Sequence, residues 1–240
     1  MAVLDVEGLT MSYADKKLYE DASFQLEKHE HMGIVGQNGA GKSTLIKILI
    51  GKVLPVDGSV KWQKGVKIGY LDQYVDIPAG MTLIEFLHTA FQELYQLNDQ
   101  MNKYYAEYAD KMDDSLLTKA GRIQEKLDAN NFYEIETRIE RVMNGLGLTD
   151  IGKDHVVSKM SGGQRSKIIL AKMLLENPDV ILLDEPTNYL DTAHIEWLTD
   201  YLNDFDGAAM IISHDYDFLE KVTNTICDVS FGKITKYRGS

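Results

Sequence analysis

Residues 36–44 carry the strongest chemical signal in the sequence, because they fit the pattern G-x-x-x-x-G-K-[ST]. The stretch reads Gly36-Gln37-Asn38-Gly39-Ala40-Gly41-Lys42-Ser43-Thr44. Glycines let a loop curl so that its backbone N–H groups point inwards, and the positive end of a following helix attracts phosphate. In such a loop the Lys42 ammonium is expected to reach the β- and γ-phosphates, and the Ser43 hydroxyl to ligate Mg²⁺. The sequence therefore predicts a site for a nucleoside triphosphate.

The elements around this loop are those that a phosphate-binding loop requires. Residues 32–35 form an apolar run typical of a short buried strand, and residues 45–50 are typical of a helix that leaves the loop. Upstream, residues 2–10 and 18–27 are predicted to be strands, joined by a polar turn. Tyr13 lies in this region. It either packs at the edge of a sheet or stacks on a nucleotide base, and both interpretations stay open.

Two acidic residues, Asp184 and Glu185, directly follow the apolar run of residues 180–183, which is typical of a strand buried on both faces. An aspartate at such a strand tip can hold Mg²⁺ through its water shell, because this ion prefers oxygen ligands and dehydrates reluctantly. Glu185 would then face the γ-phosphate and polarise the attacking water. Acidic residues in this position often cap the next helix. Here Pro186 follows at once, which favours a catalytic role for the pair.

Three further groups complete the candidate constellation. Gln73 ends a predicted strand and could offer its amide oxygen to the metal or to the water. His214 follows the predicted strand of residues 208–212, which places its imidazole at the sheet edge where ligands bind in open α/β folds. The turn Ser161-Gly162-Gly163-Gln164 opens a helix and is a second candidate anion site. This turn is either a plain N-cap or part of a nucleotide site on another molecule.

The composition is that of an ordinary globular protein, with 240 residues of which 44% are hydrophobic and 26% charged. A formal net charge of -12 argues against electrostatic binding of naked nucleic acid, which relies on clustered Lys and Arg. The single cysteine, Cys227, cannot form an internal disulfide, so a reducing cytoplasm is expected. The N-terminus lacks a signal-peptide pattern, and no run reaches the roughly 20 apolar residues that span a bilayer. We therefore expect a cytoplasmic protein.

The chain changes character between residues 81 and 148, where amphipathic helical stripes replace the strand patterns. We predict a helical subdomain at 81–148, and a strand-and-helix core formed by 1–80 and 149–240. Ser115 is the expected N-cap of the second helix in the subdomain. The tyrosines Tyr104, Tyr105 and Tyr108 on the first helix are interpreted either as core between packed helices or as a contact surface.

These motifs together resemble those of ATP-binding cassette (ABC) domains, over nearly the whole chain. Residues 36–44 resemble the Walker A loop, residues 180–185 the Walker B strand and Gln73 the Q-loop. Ser161-Gly162-Gly163-Gln164 resembles the signature motif, Asp191 ends a stretch similar to the D-loop, His214 matches the switch histidine and Tyr13 the adenine-stacking aromatic. The resemblance implies an α/β P-loop NTPase fold: a mixed parallel sheet, an N-terminal antiparallel β subdomain and an inserted α-helical subdomain.

The resemblance also implies cofactors and a partner. In ABC proteins two cassettes pair head to tail, and the signature motif of one closes over the ATP held by the Walker motifs of the other. We therefore expect ATP and Mg²⁺ at this chain's site, a γ-phosphate contact from His214, and a second cassette as partner, either in the same full-length chain or as a homodimer mate. A Mg²⁺-dependent ATPase activity is expected to be weak in the isolated domain.

Within that family the chain resembles the ABC-F branch, whose members act on the ribosome rather than in membranes. The stretch Pro186-Thr187-Asn188-Tyr189-Leu190-Asp191 is similar to that branch's P-T-N-H-L-D, with Tyr189 replacing His, while Met160 replaces the Leu that often precedes the signature. The long helical stretch resembles the arm of a first ABC-F cassette, and residues 232–239 resemble the start of its linker. We expect a ribosome-binding protein that modulates translation or protects against antibiotics. The alternative is the ATPase subunit of a membrane ABC transporter.

Overall fold

The computed structural model describes residues 1–71 and 75–238. The chain divides into two compact units, one formed by Met1–Gln73 with Asn177–Ser240 and the other by Tyr74–Glu176. Within the described residues the strands and helices follow in this order: β1 Ala2–Tyr13, β2 Lys16–Glu27, β3 His31–Val35, α1 Lys42–Leu49, β4 Asp57–Trp62, β5 Ile68–Tyr70, α2 Leu83–His88, α3 Gln92–Lys111, α4 Asp114–Ala129, α5 Ile135–Gly145, α6 Gly162–Leu175, β6 Val180–Asp184, α7 Thr192–Asp204, β7 Ala208–Ile212, α8 Tyr216–Val222, β8 Thr225–Ser230 and β9 Lys233–Arg238.

The larger sheet of the first unit has the strand order β5-β6-β7-β3-β8-β9 in the described part of the chain. The strands from β5 to β8 pair in parallel, and only the β8–β9 hairpin is antiparallel. The register aligns Ile34 of β3 with Ile212 of β7, and Ile212 in turn with Asp184 of β6. Since parallel strands end at one edge, the segments that follow β3, β6 and β7 leave the sheet side by side.

The N-terminal strands form a separate antiparallel sheet with the order β2-β1-β4. This smaller sheet confirms the expected N-terminal antiparallel β subdomain, and the mixed larger sheet confirms the expected α/β class. β1 alternates buried residues such as Val6 and Leu9 with more exposed ones, as expected of a strand with one covered face. A register shift between Val6 and Leu9 coincides with Gly8, whose φ is +61°, and interrupts the regular pairing there.

One hydrophobic core lies between the two sheets and helix α1. Leu45 and Ile46 of α1 are fully buried, and they belong to the same cluster as Leu4 of β1, Met32 of β3 and Leu182 of β6. Burying each such side chain stabilises the fold by about 1.5–3 kcal/mol relative to leaving it in water. The helix that begins at the predicted phosphate loop is therefore fixed by packing on both sheets, and the position of its first turn is fixed with it.

The buried thiol of Cys227 gives a direct test of this packing. Burial raises the pKa of the Cys227 thiol to about 12 from its ordinary value of 9.0. Because the thiolate is the reactive form, we expect a disulfide reagent at pH 8 to label the native protein roughly 100-fold or more slowly than the protein unfolded in guanidinium chloride. Fast labelling of a protein with an intact circular-dichroism spectrum would contradict the burial.

The same pKa shift sets the sign of a pH dependence. Between pH 9 and about 12 the unfolded thiol loses its proton while the native thiol keeps it. The unfolded state then binds fewer protons than the native state, so this group's contribution to the free energy of unfolding falls as the pH rises. A Cys227→Ala variant, compared with the unaltered chain over this range, isolates the contribution.

The helical unit extends beyond the predicted subdomain of 81–148. Its first helix, α2, begins with a capping box in which the Thr82 hydroxyl accepts from Glu85 N and the Glu85 carboxylate accepts from Thr82 N. Backbone N–H groups of Leu83 and Ile84 donate to carbonyls of residues 155 and 153, and the Arg165 guanidinium donates to the Val75 carbonyl at 2.6 Å. These bonds join the segment before α6 to the start of α2, so residues 149–176 fall in the helical unit. The predicted division at 81–148 is based on helical periodicity alone, which cannot detect such bonds.

Helices α3 and α4 pack against each other as a hairpin around Met101, Ala120 and Leu127. Tyr104 packs against this cluster, whereas the Tyr105 side chain is 44% exposed, so the tyrosine stripe is core at one position and surface at the next. The expectation that Ser115 caps α4 is wrong, because the cap is the Asp113 carboxylate, which accepts from Ser115 N at 2.9 Å. That hydrogen bond lowers the pKa of Asp113. No helix in residues 1–71 and 75–238 is long and apolar enough to cross a membrane.

Candidate nucleotide-binding site

The phosphate loop, residues 36–44, connects the end of β3 to the start of α1, as predicted. Its three glycines all have positive φ, at +150° for Gly36, +74° for Gly39 and +105° for Gly41. A Cβ on Gly36 would lie 2.3 Å from the Val229 carbonyl oxygen, and one on Gly41 would lie 2.9 Å from a Tyr19 ring carbon. Both the dihedral angles and the close approach of neighbouring groups therefore require glycine at these positions.

The Lys42 side chain packs against the backbone of this loop. Its ammonium donates hydrogen bonds to the Gly36 carbonyl at 2.7 Å and to the Gln37 carbonyl at 3.0 Å, and the residue is only 9% exposed. Ser43, the next residue, is exposed and lines the cavity in front of the loop. A positive charge and a hydroxyl thus stand at the N-terminus of α1, where the helix dipole adds to the attraction for anions.

Asp184 is the last residue of β6, and Glu185 follows it with φ +51°. A left-handed backbone is uncommon for a residue other than glycine, and here a hydrogen bond from Glu185 N to the Ile212 carbonyl at 2.9 Å holds it. The backbone thereby turns sharply at the strand tip. The Glu185 side chain is 19% exposed and lines the same cavity as Ser43.

His214 lies beside the Glu185 carboxylate. The His214 backbone N–H donates to Glu185 Oε2 at 3.2 Å, and the His214 ring Nε2 is 3.4 Å from Glu185 Oε1. Oε1 is buried, and the described part of the chain supplies it with no partner in hydrogen-bond geometry. Buried polar atoms are normally satisfied. An unsatisfied carboxylate oxygen on a residue that lines a cavity is consistent with a hydrogen-bond donor from outside the chain, such as a water.

A cavity of about 420 Å³ brings these groups together. Tyr13 is among the residues that line it, and its side chain is 50% exposed. The residues of the sequence prediction that line it come from the hairpin, the phosphate loop, the tip of β6 and the segment after β7: Tyr13, Asn38, Gly39, Gly41, Lys42, Ser43, Thr44, Asp184, Glu185 and His214.

The oxygen donors in this cavity suit a magnesium ion that arrives with a triphosphate. Ser43 and Asp184 both line the cavity, and hydroxyl and carboxylate oxygens are the ligands that Mg²⁺ prefers. Residues 1–71 and 75–238 hold no group of three or more His, Cys, Asp or Glu side chains placed to bind a metal.

Other predicted site residues lie outside the cavity. Ser161-Gly162-Gly163-Gln164 opens α6 in the helical unit and forms a capping box, in which Ser161 Oγ accepts from Gln164 N at 3.2 Å and Gln164 Oε1 accepts from Ser161 N at 3.0 Å. Asp191 is the N-cap of α7 and accepts from His194 N at 3.0 Å. Gln73 lies outside the described residues.

Sequence reasoning missed one charged residue of this site. Lys16 is the first residue of β2, and its ammonium donates to the carbonyl of Gly39 in the phosphate loop at 2.8 Å. It lines the same cavity as Lys42. A lysine in a polar turn carries no motif, so only the pairing of β1 with β2, which sets Lys16 opposite Tyr13, could have indicated its position.

The family model described as ABC transporter matches residues 19–188. The chain is 43% identical over its full length to the uncharacterized ABC transporter ATP-binding protein YfmM of Bacillus subtilis, and covers 47% of that protein. It is 36% identical to the energy-dependent translational throttle protein EttA of Escherichia coli K12, over 87% of this chain and 38% of EttA. It is 32% identical to the tylosin resistance ATP-binding protein TlrC of Streptomyces fradiae, over 98% of this chain and 43% of TlrC.

The fold has solved counterparts. An ATP-binding subunit of an ABC transporter superposes with a TM-score of 0.71 at 20% sequence identity, over 98% of this chain and 90% of the other. At this identity the likeness shows the fold and nothing more. The family model matches most of the chain. The chain spans less than half the length of YfmM, EttA and TlrC.

Proposed function

This chain belongs to the ABC transporter family as one of its ATPase domains, and on that premise we propose that the cavity binds Mg²⁺-ATP and that Glu185 promotes its hydrolysis. One observation carries the proposal. Glu185 lines the same cavity as the phosphate loop, and its buried Oε1 lies 3.4 Å from His214 Nε2 but accepts no hydrogen bond from the described residues. While Oε2 is held by the His214 backbone N–H, Oε1 can accept a hydrogen bond from a water beside the γ-phosphate.

The chain's own residues divide the work of binding. Tyr13 offers an exposed ring to the base at the cavity margin. The phosphate loop and the Lys42 ammonium receive the β- and γ-phosphates, and Lys42 counters the negative charge that spreads over the transferring group. Ser43 and Asp184 would hold Mg²⁺, which when bound neutralises charge on the β- and γ-phosphate oxygens.

In the hydrolytic step Glu185 accepts a hydrogen bond from the attacking water. The water oxygen forms a bond to the γ-phosphorus as the bond to the β–γ bridging oxygen breaks, and ADP leaves with that electron pair. The proton released by the water passes to Glu185 or to the phosphate product. The His214 backbone N–H keeps the other carboxylate oxygen in place, and the ring Nε2 stands where a γ-phosphate contact is expected.

We propose in addition that the chain works as one of two paired cassettes. The capping box at Ser161 opens α6, a helix of 14 residues, and both Ser161 and Gly162 are exposed. A Cβ on Gly162 would meet no neighbour within 4 Å, so this turn is open to an approaching group. This turn is proposed to contact the ATP that is bound to a second cassette. The longer relatives leave room for such a cassette, because this chain covers 47% of YfmM and 43% of TlrC. Hydrolysis by this domain alone is then expected to be slow.

The ribosome is the proposed site of action. The relatives include a protein named for translational throttling and one named for resistance to tylosin, which supports the predicted resemblance to the ABC-F branch. We therefore propose a cytoplasmic protein in which ATP binding pairs the cassettes on the ribosome and hydrolysis releases them, with an effect on translation or on antibiotic action. The helical hairpin of α3 and α4 is the proposed arm.

Ribosome co-sedimentation tests this proposal. The protein that carries this cassette together with a second one would be given the Glu185→Gln substitution and its equivalent in the second cassette, to hold the ATP-bound form. We expect it to pellet with ribosomes when ATP is present and to stay in the supernatant without ATP. A matched protein carrying Lys42→Ala, which should bind ATP much more weakly, is the control.

Failure to pellet in spite of sound ATP binding would contradict the ribosomal proposal. It would favour the alternative, in which the chain is the ATPase subunit of a membrane transporter. The solved ATP-binding subunit of an ABC transporter has a fold similar to that of this chain. Co-purification with a membrane-embedded partner would then be the expected observation. The ATPase proposal is tested separately, by the substitutions Glu185→Gln and Lys42→Ala.

A further inference from the structure

We propose that Lys16 is a positioning residue of the nucleotide site, which holds the phosphate loop in its binding form by connecting it to the β1–β2 hairpin. The inference rests on the proposed binding of ATP in this cavity and deepens it. The hairpin carries Tyr13, the residue proposed to stack on the base, and the loop carries Lys42, the residue proposed to meet the phosphates. The Lys16 side chain donates a hydrogen bond from the hairpin to the loop.

The contact is specific in its geometry. Lys16 Nζ donates to the Gly39 carbonyl at 2.8 Å, across 23 positions of sequence. A Cβ on Gly39 would lie 3.1 Å from the same Nζ, so the ammonium lies close to the loop backbone at this residue. Lys16 pairs with Tyr13 in the register of β1 and β2, which fixes the base of its side chain relative to the aromatic ring.

The hydrogen bond acts on a peptide unit that is held at both ends. The carbonyl of the Gly39–Ala40 peptide accepts from Lys16, and its N–H, which belongs to Ala40, donates to the Gln37 carbonyl at 3.1 Å. Lys42 holds the carbonyls of Gly36 and Gln37. Two ammonium groups from different elements thus engage three carbonyls of one loop. Glycine-rich backbone has many accessible conformations, and each charged hydrogen bond removes some of them before a phosphate arrives.

The neighbouring lysine provides a matched control. Lys17 has the same charge and is also exposed, but its ammonium pairs with Glu20 Oε2 at 2.7 Å on the same strand. It does not line the 420 Å³ cavity, whereas Lys16 does. Replacing either lysine by methionine removes one positive charge and keeps the aliphatic chain. A difference between the two variants therefore reports the Gly39 contact and not the net charge of the hairpin.

The test is calorimetric titration of this chain with Mg²⁺-ATP and, separately, with Mg²⁺ and inorganic tripolyphosphate, which has phosphates but no base. We expect Lys16→Met to weaken the binding of both probes roughly tenfold, the effect of losing one charge-assisted hydrogen bond that organises the site. Lys17→Met should leave both affinities within about twofold, since exposed ion pairs contribute little. Lys16→Arg, which keeps a charged donor, should recover part of the loss.

Tyr13→Ala completes the design, because it should weaken ATP binding and leave tripolyphosphate binding unchanged. If Lys16→Met behaves like Tyr13→Ala and affects ATP alone, Lys16 supports only the aromatic ring and the inference is wrong. Equal binding of both probes by Lys16→Met and the unaltered chain also overturns it. Failure of the unaltered chain to bind either probe would instead refute the proposed function, and the inference would fall with it. Thermal unfolding of each variant checks that the fold is retained.

Discussion

Replacing Glu185 by glutamine is expected to lower the rate of ATP hydrolysis roughly 100-fold or more while the affinity for ATP stays within about threefold. The amide has the shape of the carboxylate, and its oxygen can still accept the hydrogen bond from His214 N. It cannot take a proton from water. The measurement is single-turnover phosphate release at high protein concentration, followed over hours because slow turnover is expected of the isolated domain, together with a binding titration of ATP.

Glu196→Gln is the matched control for this substitution, since Glu196 is exposed on α7 and does not line the cavity. It should hydrolyse ATP as the unaltered chain does. Hydrolysis by Glu185→Gln at the unaltered rate would show that another group activates the water. A parallel loss of ATP affinity would show instead that Glu185 acts mainly in binding, and the orphaned Oε1 would then need a partner in the bound nucleotide.

Replacing Lys42 by alanine is expected to weaken ATP binding on the order of 100-fold. Two effects act in the same direction. The site loses the cation proposed to face the β- and γ-phosphates, and the loop loses the hydrogen bonds that this ammonium donates to the Gly36 and Gln37 carbonyls. Because Lys42 is only 9% exposed, its charge is weakly screened by water. Equilibrium titration with a fluorescent ATP analogue gives the affinity directly.

Lys47→Ala serves as the control for Lys42→Ala, because Lys47 is an exposed residue in the last turn of the same helix. It changes the net charge by the same amount and should leave the affinity for ATP nearly unchanged. ATP binding by Lys42→Ala at the unaltered strength would mean that the loop does not hold the phosphates. Thermal unfolding within a few degrees of the unaltered chain is needed to exclude a misfolded loop.

The parts of the fold that could be predicted from sequence are those where local patterns act alone. The buried strand at residues 208–212 has the predicted limits, because a short continuous apolar run is typical of a strand that is covered on both faces of the sheet. The position of Asp184 and Glu185 at a strand tip follows from the same pattern in β6. Glycine spacing indicated the phosphate loop, since few residues other than glycine adopt its dihedral angles.

The parts that could not be predicted depend on contacts between distant segments. Periodicity placed the helical stretch at 81–148, but hydrogen bonds between the start of α2 and residues 153–155 extend the unit to Glu176. Helix α8 is short and begins at an Asp215 cap that sequence analysis did not single out. Asp113 rather than Ser115 caps α4, because a charged oxygen one residue before the helix competes better for its free N–H groups. Lys16 was not predicted for the same reason, since its hydrogen-bond partner Gly39 lies in another element.

β7 lies between β3 and β6 in the sheet. The distance between the phosphate loop and the carboxylates is therefore set separately from the chemistry of the side chains that line the cavity. Neighbouring strands lie about 4.8 Å apart, so the phosphate loop after β3 and the carboxylates after β6 start about 10 Å from each other. Backbone ladders set that width, and no side chain of the cavity takes part in it. Residues facing the nucleotide can therefore vary in chemistry while the span between loop and carboxylates stays constant. Altering the span would require repacking β7, whose residues from Ala208 to Ile212 are all buried.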